Sequence, residues 1–185
     1  EVSIFEAMPK AGGMLIYGIP EYRLPKAVLD EEIFTIQRMG VEIVTDTKIG
    51  KDIPFETVKE DFDAVLLGIG AWISTGVGCK GEDAAGVIGG IDFLRKVVRN
   101  EEIELGEKVA IVGGGNTAMD ACRTAVRLGA KEVYNIYRRT KDEMPADMVE
   151  IEEAEEEGVI FKNLTNPLEV VKDENGHVKD RKSTR

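Results

Sequence analysis

The chain of 185 residues is acidic, with 24 lysines and arginines against 35 aspartates and glutamates, a formal net charge of −11 and a pI near 4.7. That balance excludes a nucleic-acid binder, whose phosphate partner demands a basic face, and no apolar run approaches the ~20 residues needed to span a bilayer. A content of 43% hydrophobic and 32% charged residues fits an α/β protein with one good core or two small ones. The two cysteines, Cys79 and Cys122, lie far apart without a CxxC, which fits a reducing, cytoplasmic setting and leaves no disulfide framework, zinc knuckle or iron–sulfur cluster in this segment.

Glu1–Phe5 reads as an apolar strand ending in Glu6. In a dinucleotide-binding fold this is the second strand, whose terminal carboxylate holds an adenosine ribose. The glycine turn expected about 20 residues earlier is not in the sequence, so the chain reads as a piece that begins inside such a domain. The loop that follows carries Gly12-Gly13 and a Gly18-Ile19-Pro20 turn. Arg23 is either a neutraliser of a cofactor phosphate or an exposed surface cation. Pro25–Met39 places Leu29, Ile33 and Ile36 at helical spacing, opens on a proline suited to a first turn and stops at Gly40. Val41–Thr45 reads as a strand and Pro54–Glu60 as a short helix. Ala64–Ile69 reads as a buried strand, followed by Gly70, where backbone can lie near a nucleotide or simply turn. A loop from Trp72 to Glu82 leads to a helix over Gly89–Val98, and polar residues before Gly106 set a domain boundary near Asn100.

Lys108–Ala118 (KVAIVGGGNTA) is the most informative stretch. Val109–Val112 reads as a buried parallel strand, Gly113 as the sharp turn, and Gly115 as the point where backbone N–H groups can approach a pyrophosphate. Gly114 completes the cluster. Ala118, in place of a third glycine, keeps the next helix close to the strand. That helix runs from Asn116 to Leu128 before Gly129, and its start, with Asn116 and Thr117, offers unpaired donors and the positive end of the dipole. Asp120 gains from the same dipole whether or not it meets a ligand. Glu132–Tyr137 is the second strand of a βαβ unit of ~30 residues. It ends in Arg138-Arg139, with no acid at its tip. NAD-specific sites place a carboxylate there for the ribose 2′-hydroxyl, whereas two guanidiniums suit the 2′-phosphate of NADP. Glu150–Glu157 (EIEEAEEE) reads as the outer face of a helix, with an acidic docking patch as the alternative. Leu168–Lys172, the turn Asp173–Gly176 and His177 onward form a hairpin that breaks off at Arg185.

The run from Gly113 to Ala146 resembles the NADPH-binding domain of the glutamate synthase small (beta) subunit family. That family includes the NADPH-linked half of dihydropyrimidine dehydrogenase and the larger subunit of NADH-dependent ferredoxin:NADP oxidoreductase. AGGMLIYGIPEYRLPK, from Ala11 to Lys26, is similar to the family's flavin-side loop, and the two blocks stand in the family's order. The resemblance implies an α/β, two-dinucleotide-binding-domain flavoprotein fold with Rossmann-like parallel sheets, both domains incomplete. Residues 1–100 would be part of an FAD-binding domain lacking its first βαβ turn, and residues 101–185 an NADP-binding domain lacking its C-terminal part. It implies FAD contacts at Glu6, Gly12, Gly13, Arg23 and Gly70, and NADP(H) contacts at Gly113, Gly114, Gly115, Asn116, Thr117, Arg138 and Arg139. Glu143-Met144-Pro145-Ala146 matches a family motif that would shape the NADP pocket. The implied reaction is hydride transfer between NADPH and FAD, with electrons passed to iron–sulfur clusters or a partner subunit. Cofactors carry that chemistry, so no catalytic acid or base is expected. The alternatives are an NADP-binding-only fragment without flavin, and a docking subunit that uses its acidic helix.

Overall fold

β1 (Val2–Phe5) and β2 (Val41–Val44) lie side by side in parallel, Val2 opposite Val41 and Phe5 opposite Val44. Parallel neighbours need a crossover, supplied here by α1 (Gly13–Tyr17) and α2 (Lys26–Arg38). This is a computed structural model; it describes residues 1–184 and divides the chain into two units, Glu1–Trp72 and one from Ile73 onward.

In the first unit α2 buries Leu29, and α3 (Phe55–Asp61) buries Val58. Phe5 meets Phe62 edge to face at 6.0 Å between ring centroids. Tyr17 is buried, its hydroxyl accepts the Lys10 N–H at 3.0 Å, and its ring lies 5.8 Å from that of Trp72. The expected buried strand at Ala64–Ile69 is not formed. The segment lies outside any ladder, with Leu66 94% and Ile69 78% exposed. Apolar content alone does not make a strand, because its backbone groups need a neighbouring strand to bond. The sheet of this unit has two strands, β1 and β2, and neither pairs with the segment.

The second unit is built on a parallel sheet in the order β3-β4-β5, from β3 (Lys108–Val112), β4 (Glu132–Ile136) and β5 (Ile160–Lys162). β3 is less enclosed than its apolar run suggests: it pairs only with β4, and Lys108, Ala110 and Val112 face solvent. α4 (Gly90–Val98), α5 (Asn116–Arg127) and α6 (Met148–Glu156) bring Phe93, Leu94, Met119, Cys122, Ala125, Ile151 and Ala154 together with Val133 of β4. Each large apolar side chain enclosed in this way contributes on the order of 1.5–3 kcal/mol. Phe93 and Leu94 of α4 belong to this core, and the chain passes from the first compact unit to the second after Trp72.

The acidic run is not simply an outer face. Arg123 of α5, itself buried, pairs with Glu150 at 3.0 Å, Glu153 at 2.5 Å and Glu157 at 2.8 Å, and Arg127 also binds Glu157. Burial works to raise the Glu157 carboxyl, but hydrogen bonds from Arg127 and Arg123 outweigh it and hold the group below its ordinary value. The expected hairpin is present as β6 (Pro167–Lys172) and β7 (Val178–Ser183), antiparallel, its turn fixed by Asp173, which accepts the N–H groups of Asn175 and His177. Lys80 bonds to β6 and Ala85 to the start of β7, and Gly81 passes so close that a Cβ there would sit 2.3 Å from the Val170 carbonyl oxygen. Among the described residues, no helix is long and apolar enough to cross a membrane.

Candidate dinucleotide site

The glycine turn lies between the end of β3 and the start of α5, at the carboxyl edge of the sheet, where open α/β sheets bind ligands. Gly113 has φ +147°, and its N–H donates to the Ile136 carbonyl at 3.0 Å. Asn135, fully buried on β4, donates from Nδ2 to the Gly113 carbonyl at 2.9 Å and to Cys122 Sγ at 3.8 Å. At Gly114 a Cβ would fall 2.5–2.8 Å from three atoms of the Tyr137 ring. Around Gly115 nothing lies within 4 Å of the place a Cβ would take. The turn is therefore closed behind Gly114 and open in front of Gly115.

Gly115 is the N-cap of α5, and no side chain caps it. Among the described residues, no protein acceptor meets the N–H groups of Gly115, Asn116 or Thr117. Such orphan donors, aligned with the helix dipole, form a ready anion site. Asn116 is exposed, and its Oδ1 accepts the Asp147 N–H at 2.9 Å, which leaves Nδ2 as the free face of the amide. Asp147 in turn caps α6 by accepting the Val149 N–H at 3.1 Å. Ala146 donates its N–H to the Gly114 carbonyl at 3.0 Å, while Met144 and Ala146 are buried in the core. The Glu143–Asp147 segment is thus strapped across the glycine turn.

Arg138 and Arg139 follow β4 at the same edge, and both are exposed. Among the described residues neither forms an ion pair. Glu143 has its carboxylate engaged by the Thr140 N–H at 3.1 Å and the Thr140 hydroxyl at 3.0 Å. The Thr140 backbone bond, then its hydroxyl, with the Arg139 charge adding, hold that carboxyl below its usual value. Tyr137 sits between the two parts of the site, its ring against Gly114 and its hydroxyl donating to the Glu143 carbonyl at 2.8 Å. Asn135 and Tyr137 are not singled out by the sequence analysis. The available signal was an amide at an inward position of an otherwise apolar strand, followed two residues later by an aromatic at its tip.

The expected flavin-side residues are more dispersed. Glu6 stands at the tip of β1, half-buried, with Oε1 accepting the Met8 N–H at 2.8 Å. Gly12 has φ +123°, and a Cβ there would meet Ile16 at 2.6 Å and Leu29 at 3.1 Å, so close packing of the crossover accounts for this glycine. Gly13 opens α1 with free space around it. Arg23 lies half-buried in the turn where its N–H donates to the Pro20 carbonyl at 3.1 Å, and Gly70 is exposed at the end of the unladdered segment. A groove of about 270 Å³ on this unit is lined by Lys10, Asp30, Gln37 and Thr45 over Ile33 and Ile43, and by none of those five residues.

Parallel sheets crossed over by helices, with an open glycine turn at the carboxyl edge, define a Rossmann-like α/β architecture of the nucleotide-binding kind. Residues 5–185 match the pyridine nucleotide-disulphide oxidoreductase family, and the chain belongs to it. It is 48% identical to the NADPH-Fe(3+) oxidoreductase subunit beta of Geobacter sulfurreducens over 181 residues, which cover 95% of this chain and 27% of that protein. It is 39% identical to the glutamate synthase [NADPH] small chain of Escherichia coli, covering 98% of this chain and 41% of that one. The resemblance seen in the sequence is thereby met, and the chain spans between a quarter and somewhat under half of the length of these relatives. In fold it is similar to Mycobacterium tuberculosis FprA in complex with NADPH, with a TM-score of 0.78 at 18% identity over 99% of this chain and 60% of FprA.

Proposed function

We propose that this chain is the nicotinamide-handling part of an NADPH-dependent flavin oxidoreductase. In this reading Gly113–Thr117 hold the pyrophosphate of NADP(H), and Arg138 and Arg139 hold its 2′-phosphate. One observation carries the reading. Among the described residues, donor N–H groups without a protein acceptor front an open cradle at Gly115, beside two exposed arginines that form no ion pair, with the Glu143 carboxylate acting on Arg139 only through its charge. A phosphate there replaces water on the orphan donors, and forked guanidinium bonds recognise a phosphate more strongly than a neutral hydroxyl. The strap from Tyr137 and Ala146 holds the cradle in place. The nicotinamide, when bound, supplies the hydride; the protein's part is grip and alignment.

The fit to FAD is partial. Glu6 stands where a ribose carboxylate belongs, with one oxygen already accepting the Met8 N–H. Gly13 offers open backbone, and Arg23 and Gly70 are assigned to the flavin by resemblance alone. The relatives named above are a beta subunit and a small chain. We accordingly assign electron transfer from the flavin to an iron–sulfur domain or partner subunit to the whole protein.

Titration of the 185-residue chain with NADP⁺, NAD⁺, 2′,5′-ADP and 5′-ADP tests the reading. A charge-assisted bond is worth about 1.5–3 kcal/mol, so Arg138→Ala or Arg139→Ala should weaken the 2′-phosphorylated ligands by roughly 10-fold to 100-fold. The other two ligands should change less than about twofold. Equal losses for both classes would overturn the 2′-phosphate assignment. A chain that binds NADP⁺ but retains no yellow flavin when mixed with FAD would support the binding-only alternative.

A further inference from the structure

The loop after β5 holds a bulky residue in a backbone conformation that such residues avoid. Leu164 has φ +52°, in the left-handed region where a Cβ is crowded by the backbone, and its side chain is 61% exposed. Neither a buried contact nor a glycine-like turn requires leucine there. Its position is tightly fixed all the same. The Leu164 N–H donates to the Arg139 carbonyl at 3.0 Å, the Thr165 N–H to the Tyr137 carbonyl at 2.9 Å, and the Tyr137 N–H to the Lys162 carbonyl at 3.1 Å. The Thr165 hydroxyl also donates to the Asn163 carbonyl at 3.0 Å, and Asn163 Oδ1 is buried without a partner among the described residues. The tips of β4 and β5 are thus zipped together, so that the backbone of an exposed apolar residue is held against the carbonyl of Arg139. Strained, exposed residues at the carboxyl edge of a parallel sheet are where ligand contacts concentrate.

We infer that Leu164 is a ligand-binding residue, the apolar wall against which the adenine ring of NADP(H) rests. The inference rests on the reading above, in which the 2′-phosphate lies on Arg138 and Arg139. A purine face next to a 2′-phosphorylated ribose needs an apolar surface, and Leu164 is the exposed one tied to Arg139. The wall touches the part of the ligand that NADP⁺ and NAD⁺ share, so it sets affinity for adenosine-bearing ligands of both kinds.

The test uses Leu164→Gly and Leu164→Asn, both residues that adopt this backbone conformation readily, in the 185-residue chain. Thermal unfolding should keep or raise its midpoint, because the strain is relieved. Affinity for NADP⁺, NAD⁺ and 2′,5′-ADP should fall together by about 3-fold to 10-fold, and the loss with 2′,5′-ADP locates the contact at the adenosine end. The Arg138→Ala variant, titrated alongside, should lose only the 2′-phosphorylated ligands. Affinities within twofold of the unsubstituted chain in both Leu164 variants would overturn the wall, and if Arg138→Ala still discriminates, the dinucleotide reading stands. Failure of Arg138→Ala to discriminate would overturn the reading itself.

Discussion

A Gly115→Ala substitution puts a methyl group into the one open side of the cradle, and the structure separates its cost to folding from its cost to binding. The backbone at Gly115 has φ −95° and ψ 174°, which alanine adopts freely, and no atom lies within 4 Å of the new Cβ. Two small effects on stability oppose each other. Alanine is a poorer N-cap than glycine by several tenths of a kcal/mol or more, while loss of glycine freedom in the unfolded chain returns about 0.4–1 kcal/mol. The net change should stay within about 0.5 kcal/mol, and the thermal midpoint within about 2 °C. Binding has no such compensation, because the methyl stands between the Gly115–Thr117 N–H groups and any phosphate. In the unsubstituted chain, NADP⁺ at a hundred times its Kd adds about 2.7 kcal/mol, a rise of roughly 5–10 °C in the midpoint. In Gly115→Ala that rise should shrink to a small fraction, and calorimetric titration should show affinity lower by about 10-fold or more. A variant that folds as well and binds NADP⁺ as tightly would refute the placement of the phosphates. A variant that unfolds at a much lower temperature would refute the steric argument.

Three further outcomes are expected. Arg123→Ala leaves the carboxylates of Glu150, Glu153 and Glu157, on and just after α6, without their central cation, and should destabilise the chain by about 2–4 kcal/mol, lowering the midpoint by about 5–15 °C, with part of the loss recovered as the pH falls toward 4.5; a change below 1 °C would refute it. Hydrogen bonds from Lys182 and Lys80 lower the Glu169 carboxyl from 4.5 to about 2, so their stabilising effect is complete above pH 4.5 and lost as the pH falls through 2. Glu169→Gln should flatten the acid-unfolding profile across that window, and an unchanged profile would count against the pairing. Burial pushes the Cys122 thiol up to about 12, against a smaller opposite pull from the Asn135 amide. A thiol reagent at pH 8 should therefore reach only half-buried Cys79 in the native chain and both cysteines after denaturation; two fast native thiols would refute it.

The parts of the fold legible in the sequence are those set by local patterns. The strand, turn and helix at Lys108–Arg127, the strand at Glu132–Ile136, the helix after Pro25 and the Asp173–Gly176 turn stand within a residue or two of their expected places. The parts not legible depend on distant partners. Ala64–Ile69 carries a strand-like composition but meets no strand in its unit. The short helix at Gly13–Tyr17 follows from packing of Ile16 and Tyr17, which a loop-like glycine sequence conceals. The acidic run gave no sign that Arg123, 27 residues before Glu150, would enter its midst. At the site, the glycine turn and arginine pair could be read from residue order. The orientation of Asn116 could not, because it is set by a backbone N–H from Asp147, 31 positions away.

Asp147 touches the cradle through Asn116 and starts α6 with its own side chain, and α6 returns to α5 through Arg123. Those links close a circuit: the helix whose first N–H groups lack protein acceptors is braced by the helix whose N-cap orients the Asn116 side chain. Such a triangulated frame has little slack to take up when a guest arrives, so the ordering cost is met when the chain folds. Encounter should then proceed without a slow rearrangement, and variation in tightness among bound guests should be expressed in how long each one stays.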